Sequence, residues 1–260
     1  MNAIQVGVLS CLCLAPVAAG AQFTFSTNNG ALNVTGYTGL GGNVVIPGEA
    51  NGLTVVNVGD YAFQSVTSLT RVTIPDSITN IGSYAFYKCY GLTSVELGNG
   101  VANIGNWAFA YCSALTNQTI PSSVTNLGAG AFIMCPKLQS IVFFGNAPTV
   151  IGGFPGTPAA IYYLLGTTGW GSVYAGCTTY LWNPRLRPPS RGSFHPQMGY
   201  DVMITITGST NMPIVAEVTT NLAAGSWVTL KRCSLTNGAI ALSDPALFWT
   251  RSRFYRVCPP

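Results

Sequence analysis

An α/β repeat solenoid of short parallel strands, followed by a small all-β module, is the fold class this sequence predicts. Three observations point to it. Landmarks recur every 23 residues through the middle of the chain: Leu69, Leu92, Leu115 and Leu138, with Gly59, Gly82, Gly105 and Gly128 on the same spacing. Only 7% of the 260 residues are charged although 48% are hydrophobic, against roughly 25% charged in ordinary soluble domains. Solubility therefore rests on Ser, Thr, Asn, Gln and backbone polarity. Finally, the texture changes from Phe194 onward, where runs alternate apolar and polar residues.

Taken in order, residues 1–21 read as a signal peptide. Ile4 to Ala19 is apolar and ends in the small-x-small pattern Ala19-Gly20-Ala21, which makes Gln22 the mature start. The stretch is shorter than the roughly 20 residues of a membrane span, and no later segment qualifies. The chain is expected outside the cell, secreted or on the surface. Residues 22–39 alternate around an Asn28-Asn29-Gly30 turn and predict a β-hairpin that caps the first repeat.

Residues 40–146 are the repeats. One unit reads Leu69-x-x-Val72-x-Ile74-Pro75-x-x-Ile78-x-x-Ile81-Gly82-x-x-Ala85-Phe86-x-x-Cys89. Its first part is a short strand, which Pro75 ends because proline cannot donate to a ladder. Its second part buries Ile78, Ile81, Ala85, Phe86 and Cys89 in a turn or short helical arc. One unit cannot close its own core, so units stack and equivalent strands pair in parallel. An upstream unit, Val44-x-Ile46-Pro47, fits if five residues are inserted around Gly48 to Thr54.

This run of Leu, Val/Ile, Ile-Pro, Ile-Gly, Ala-Phe and Cys resembles the BspA-type leucine-rich repeat. The resemblance covers about residues 40–145. It departs where Gln118 replaces a core aliphatic, where Gly98 replaces proline, and in the first unit, which lacks the Leu and Cys. It implies an exported or cell-surface solenoid used for adhesion or binding, not for catalysis.

Residues 147–184, rich in Gly, Pro, Thr and aromatics with a strand at Ile161-Tyr162-Tyr163-Leu164, predict a C-terminal cap. Residues 185–193 predict an extended linker. Residues 194–260 predict a β-sandwich-like module in which Trp227, Phe248, Phe254 and Tyr255 supply bulk. Its Trp227, Asn237-Gly238, Asp244-Pro245 and Arg253-Phe254-Tyr255-Arg256 resemble a terminal module of exported bacterial repeat proteins. Residues 22–184 carry three Lys/Arg and four Asp/Glu, and residues 185–260 carry eight and three. A basic module of this kind suits an anionic envelope surface, or its arginines simply solubilise a charge-poor chain.

The residues exclude much chemistry. One histidine, His195, and seven carboxylates are present, with no nucleophile motif, phosphate loop or calcium loop. No catalytic residue, metal site or cofactor is expected, and no nucleic-acid partner. Cys89, Cys112 and Cys135 recur at the repeat period and read as buried small hydrophobes, not converging thiolates. Cys233 and Cys258 lie 25 residues apart in the last module. They are equally open to a disulfide, which would contribute about 3 kcal/mol, or to free thiols.

Two surfaces are candidates for binding. Outward positions of the strand face are Asn43, Arg71, Thr73, Ser94, Glu96, Asn117, Thr119 and Ser140, with Val45 and Val142. This row suits an extended polymer or peptide, or is a solvated face in which Arg71 and Glu96 pair diagonally. The second surface is the row Tyr61, Tyr84 and Trp107, each just before Ala-Phe, with Tyr87, Tyr90 and Tyr111 nearby. Such rings stack on sugars or on each other. The expected function is recognition or adhesion at a surface by a monomer, with an extracellular protein or polysaccharide as partner. The alternatives are a carbohydrate-binding protein that uses the aromatic row, and a structural envelope component attached by its C-terminal module.

Overall fold

The computed structural model describes residues 9–12, 22–150, 152–187, 190–195, 199–209, 212–220, 226–244 and 254–259. The chain forms two compact units, Met1–Thr179 and Tyr180–Pro260. Most of the expected signal peptide lies outside the described residues. Its Leu9–Leu12 is a strand antiparallel to Gln22–Asn28. No helix among the described residues is long and apolar enough to cross a membrane.

The first unit is a β-solenoid with three hydrogen-bonded sides. One side stacks Gly42–Val45, Leu69–Thr73 and Ser94–Glu96 in parallel, and then Asn117–Ile120, Ser140–Phe143 and Ala160–Leu164. The second stacks Leu53–Val58, Asn80–Ile81, Asn103–Ile104, Asn126–Leu127 and Thr149–Val150. The N-terminal hairpin, Gln22–Asn28 with Ala31–Tyr37, joins this second side through Leu53–Val58. The insertion in the first repeat folds as a tight hairpin, Glu49–Ala50 on Leu53–Val58, turning on Asn51 and Gly52 at φ 53° and 72°. That is the Asn-Gly turn geometry whose twist suits antiparallel strands.

The third side is the arc that carries Ala-Phe. Of the turn or short helical arc expected here, the turn is what forms: the arc contains no helix, and the repeat solenoid is built of strands and turns. The reason is where its N–H groups go. Phe63 N donates to Ala85 O (2.7 Å), Phe86 N to Ala108 O (2.8 Å) and Phe109 N to Ala131 O (2.8 Å), each in the next coil. Spent between coils, they are not free for i→i−4 bonds. The arc also turns through left-handed residues, Tyr84 and Lys88 at φ 58° and 60°, which interrupt any helix. The recurring glycine follows from the close approach of coils. A Cβ on Gly82 would lie 2.5 Å from Asp60 N, and one on Gly128 would lie 2.4 Å from Asn106 N.

Identical side chains stack inside the coil. Phe63, Phe86, Phe109 and Phe132 form a buried column with centroids 4.8, 5.1 and 5.3 Å apart and ring planes within 17°. Tyr37 covers one end of the column at 5.2 Å, and Phe154 closes the other edge-on at 5.7 Å. The last coils end on an antiparallel pair, Val173–Tyr174 with Cys177–Trp182. There Trp170 packs on Phe143, Tyr163 and Tyr174.

One break divides the first side into a three-stranded and a five-stranded sheet, between Ser94–Glu96 and Asn117–Ile120. Where its neighbours place Val95 and Ile141, the fourth strand buries Gln118, only 2% exposed. Its Nε2 donates to Val95 O (3.3 Å) and Thr119 O (2.7 Å), while Oε1 is buried without a partner. A side-chain amide thus stands where a ladder would run.

Among the described residues the second unit holds two antiparallel sheets. Gly199–Thr207 pairs with Arg185–Leu186, Ser190–His195 and Ala239–Asp244. Pro213–Thr219 pairs with Val228–Ser234 and Phe254–Cys258. Strands Arg185–Leu186 and Ser190–His195 run through the segment expected to be an extended linker. Its extended proline-flanked backbone finds ladder partners in Gly199–Thr207. Phe248 lies outside the described residues.

Replacing Gln118 by valine removes the unpartnered oxygen and restores the residue type of the neighbouring strands. The Gln118→Val protein is expected to gain about 1–2 kcal/mol, since an orphaned buried polar group costs about that much. Thermal unfolding should show a midpoint several degrees higher. A lower midpoint would mean that the amide bonds hold the two sheets together better than a ladder would.

Candidate binding surfaces

The strand face divides at the Gln118 break. Asn43, Arg71 and Ser94 fall in register, as do Val45, Thr73 and Glu96. Asn117, Thr119 and Ser140 belong to the other sheet. Within the first group Arg71 Nη1 meets Glu96 Oε1 at 2.8 Å, with both side chains about half exposed. Such a pair contributes about 0–1 kcal/mol. Thr73 donates to Glu96 Oε2 (3.1 Å) and Thr70 to Asn43 Oδ1 (3.2 Å). In the second group Ser140, in register with Asn117 on the outer face, is not exposed. It is 1% exposed and donates to Asn117 Oδ1 (2.7 Å). Val142, also expected outward, is fully buried and sits in register with the fully buried Tyr162. The outer face is apolar and covered at this end, which shortens the polar row.

The arc side carries the aromatic row. Tyr61 stacks on Tyr84 at 5.1 Å and 6°, and Tyr84 on Trp107 at 6.0 Å and 15°. Tyr87 stands edge-on to Tyr84 (5.4 Å), Trp107 (6.5 Å) and Tyr111 (5.6 Å). Lys88 Nζ lies 5.1 Å from the Tyr87 centroid. Tyr61, Ser65, Tyr84, Lys88, Trp107, Tyr111 and Met134 all have φ between 56° and 61°. That left-handed conformation costs a bulky residue about 1–2 kcal/mol. Glycine would adopt it freely and does so at Gly130, φ 61°. Stacking returns about 0.5–1.5 kcal/mol per ring pair.

Sequence reading passed over a third row. Asn57, Asn80, Asn103 and Asn126 also recur every 23 residues and pair in register along the second side. Asn126 Nδ2 donates to Asn103 Oδ1 at 2.6 Å. The signal was present as the residue before each Ile/Val/Leu-Gly, in a position treated as variable. That bond ties two coils together.

The acidic residues of the repeats serve the scaffold. Asp60 Oδ1 accepts from Ser83 N (2.7 Å) and Asp76 Oδ1 from Asn99 N (2.6 Å). The repeat cysteines do too: Cys89, Cys112 and Cys135 donate to the carbonyls of Phe63, Phe86 and Phe109 at 3.1–3.3 Å. Burial pushes the Cys89 and Cys135 thiols up to about 12 and raises Cys112 strongly as well. Cys233 and Cys258 are free. They face Ile214 and Val215 from opposite sides of the strand between them, about two strand spacings apart. A disulfide needs Cα atoms within about 7 Å, so the bridged alternative is set aside.

A raised folded-state pKa keeps a thiol protonated until the pH approaches that value, and only the thiolate alkylates. Burial raises the Cys233 and Cys258 thiols as well, but these two are only half-buried and open to reagent, so iodoacetamide applied to the native protein at pH 8 should label them slowly while leaving the fully buried Cys89, Cys112 and Cys135 unmodified by mass spectrometry. Labelling of the three repeat cysteines at a similar rate would contradict the buried column.

Residues 45–152 match the model of the BspA type leucine rich repeat region in six copies. No curated protein matches the chain. Among solved structures, a leucine rich repeat protein of T. pallidum is 26% identical, covers 62% of this chain and 88% of its own, and has a TM-score of 0.43. One from Bacteroides capillosus is 30% identical over 47% of this chain and 94% of its own, with a TM-score of 0.40. A leucine rich cell surface protein of Faecalibacterium prausnitzii is 24% identical over 58% of this chain and 52% of its own, with a TM-score of 0.36. With the 23-residue coil, the stacked phenylalanines and the family match in hand, the chain belongs to the BspA-type leucine-rich repeat family.

Proposed function

We propose that this is an exported, non-catalytic recognition protein that binds an extracellular polymer through its solenoid, with the aromatic arc as the contact surface and a glycan as the class of ligand. The observation that carries this is the aromatic row itself: Tyr61, Tyr84, Tyr87, Trp107 and Tyr111 form one connected, partly exposed group. Tyrosine and tryptophan held rigidly supply contact area at small entropic cost, and they dominate binding hot spots. The polar strand face offers less, because several of its groups already bond one another and its far end is buried. The carboxylates Asp60, Asp76 and Glu96 are each engaged within the scaffold, which supports a binding role over acid–base work.

The strand face remains a second reading because Arg71 and Glu96 are half exposed. A glycan and extracellular-matrix protein array with residues 22–260 separates the two. Trp107→Ala is expected to lose binding tenfold or more, about 1.4 kcal/mol, while Arg71→Ala/Glu96→Ala retains it. The reverse pattern would move the contact to the strands. A silent array would favour the envelope-component reading, in which the basic second unit, with Lys231 and Arg232 exposed on Val228–Ser234, attaches the protein to an anionic surface.

A further inference from the structure

The aromatic row has an open end at Tyr61. Faces inside the row are taken up by neighbouring rings, but Tyr61 stacks on Tyr84 alone and is 52% exposed. Among the described residues no other ring packs on it. Its backbone is left-handed at φ 61°, the conformation that Gly130 takes in the fourth copy. A half-exposed ring with a single stacking partner gives the fold little in return for that conformation, so stability alone does not call for tyrosine here. Two exposed polar residues share its turn. Asp60 precedes it and is exposed, with Oδ1 held by Ser83 N (2.7 Å). Gln64 is exposed on the same turn, its N–H bonded to Tyr61 O at 2.9 Å.

We propose that Tyr61 is the stacking platform for an uncharged pyranose ring, with Asp60 and Gln64 hydrogen-bonding its hydroxyls. The chemistry selects this class. An apolar ring face suits the C–H face of a sugar, and a polar rim of one acceptor and one amide suits its hydroxyl edge. A wholly apolar ligand would desolvate Asp60 and Gln64 without replacing their hydrogen bonds. A cation would gain from several rings turned toward it, and here a single face is open. The assignment rests on the glycan reading given above.

The test separates binding from folding, because glycine is the residue the backbone at position 61 accepts most easily. Tyr61→Gly and Tyr61→Phe are compared with the unaltered protein on an array of neutral oligosaccharides, with a lysine-rich peptide as the charged probe. The expected result is binding of at least one neutral oligosaccharide, weakened tenfold or more by Tyr61→Gly, with a thermal midpoint within about 2 °C of the unaltered protein. Tyr61→Phe, which keeps the ring, should retain most of the affinity. Oligosaccharide binding unchanged in Tyr61→Gly would overturn this site while leaving the glycan reading standing. Silence on every oligosaccharide would overturn both. Binding of the lysine-rich peptide instead, lost in Tyr61→Gly, would overturn the sugar assignment.

Discussion

Backbone hydrogen bonds join each coil of the solenoid to its neighbours on all three sides, and the rest of the structure depends on that. A buried or half-buried peptide group must find a partner. Here the partners lie one coil away: Phe86 N on Ala108 O in the arc, and Gly105 N on Ile81 O at the second side. The period is fixed because one coil must equal the next for every bond to close. Equal coils place identical side chains above one another, and so the phenylalanines, cysteines, asparagines and outer aromatics all form columns. The same closeness demands glycine where a Cβ would strike the neighbouring backbone.

This explains what was legible in the sequence and what was not. The landmarks Leu69, Gly82, Phe86 and Cys89 were readable because stacking forces them to repeat. The arc was expected as a turn or short helix because residue spacing shows which positions are buried but not where the N–H groups go. Several of those groups bond between coils, and left-handed residues such as Tyr84 and Lys88 turn the chain. Gln118 was visible as a departure, but its result, a sheet parted by a side-chain amide, depends on Val95 O one coil away. Ser140 was placed outward by alternation alone. Alternation holds there, with Ile141 in the core, but the outer face is covered, because its neighbouring positions Val142 and Tyr162 are themselves apolar and buried. The asparagine column repeated as plainly as the leucines and was missed because polar repeats were not sought. Cys233 and Cys258 illustrate the limit of counting: separation in sequence says nothing about the strand that runs between them.

The same scaffold bears on function. A row of exposed rings on a mobile loop would be a weak platform, because its order would be lost each time it bound. Here the residues that hold the rings are fixed by the inter-coil bonds of the arc, with Tyr61 N on Ser83 O (3.0 Å) and Tyr84 N on Asn106 O (2.9 Å). The side chains project from a left-handed backbone set by those bonds. Preorganisation of this kind lowers the cost of binding. It also accounts for carboxylates that are spent within the fold: in a chain with 7% charged residues, charged side chains are scarce and several are used to join coils.

Amide hydrogen exchange of the arc tests the central claim most directly. If the arc is a third ladder, the amides of Phe86, Phe109 and Tyr111 should exchange as slowly as those of Val72 and Val95 in the strands, with free energies near that of global unfolding. Exchange of these arc amides in seconds, as in an ordinary surface loop, while the strands stay protected, would contradict the three-sided coil and the rigid platform built on it.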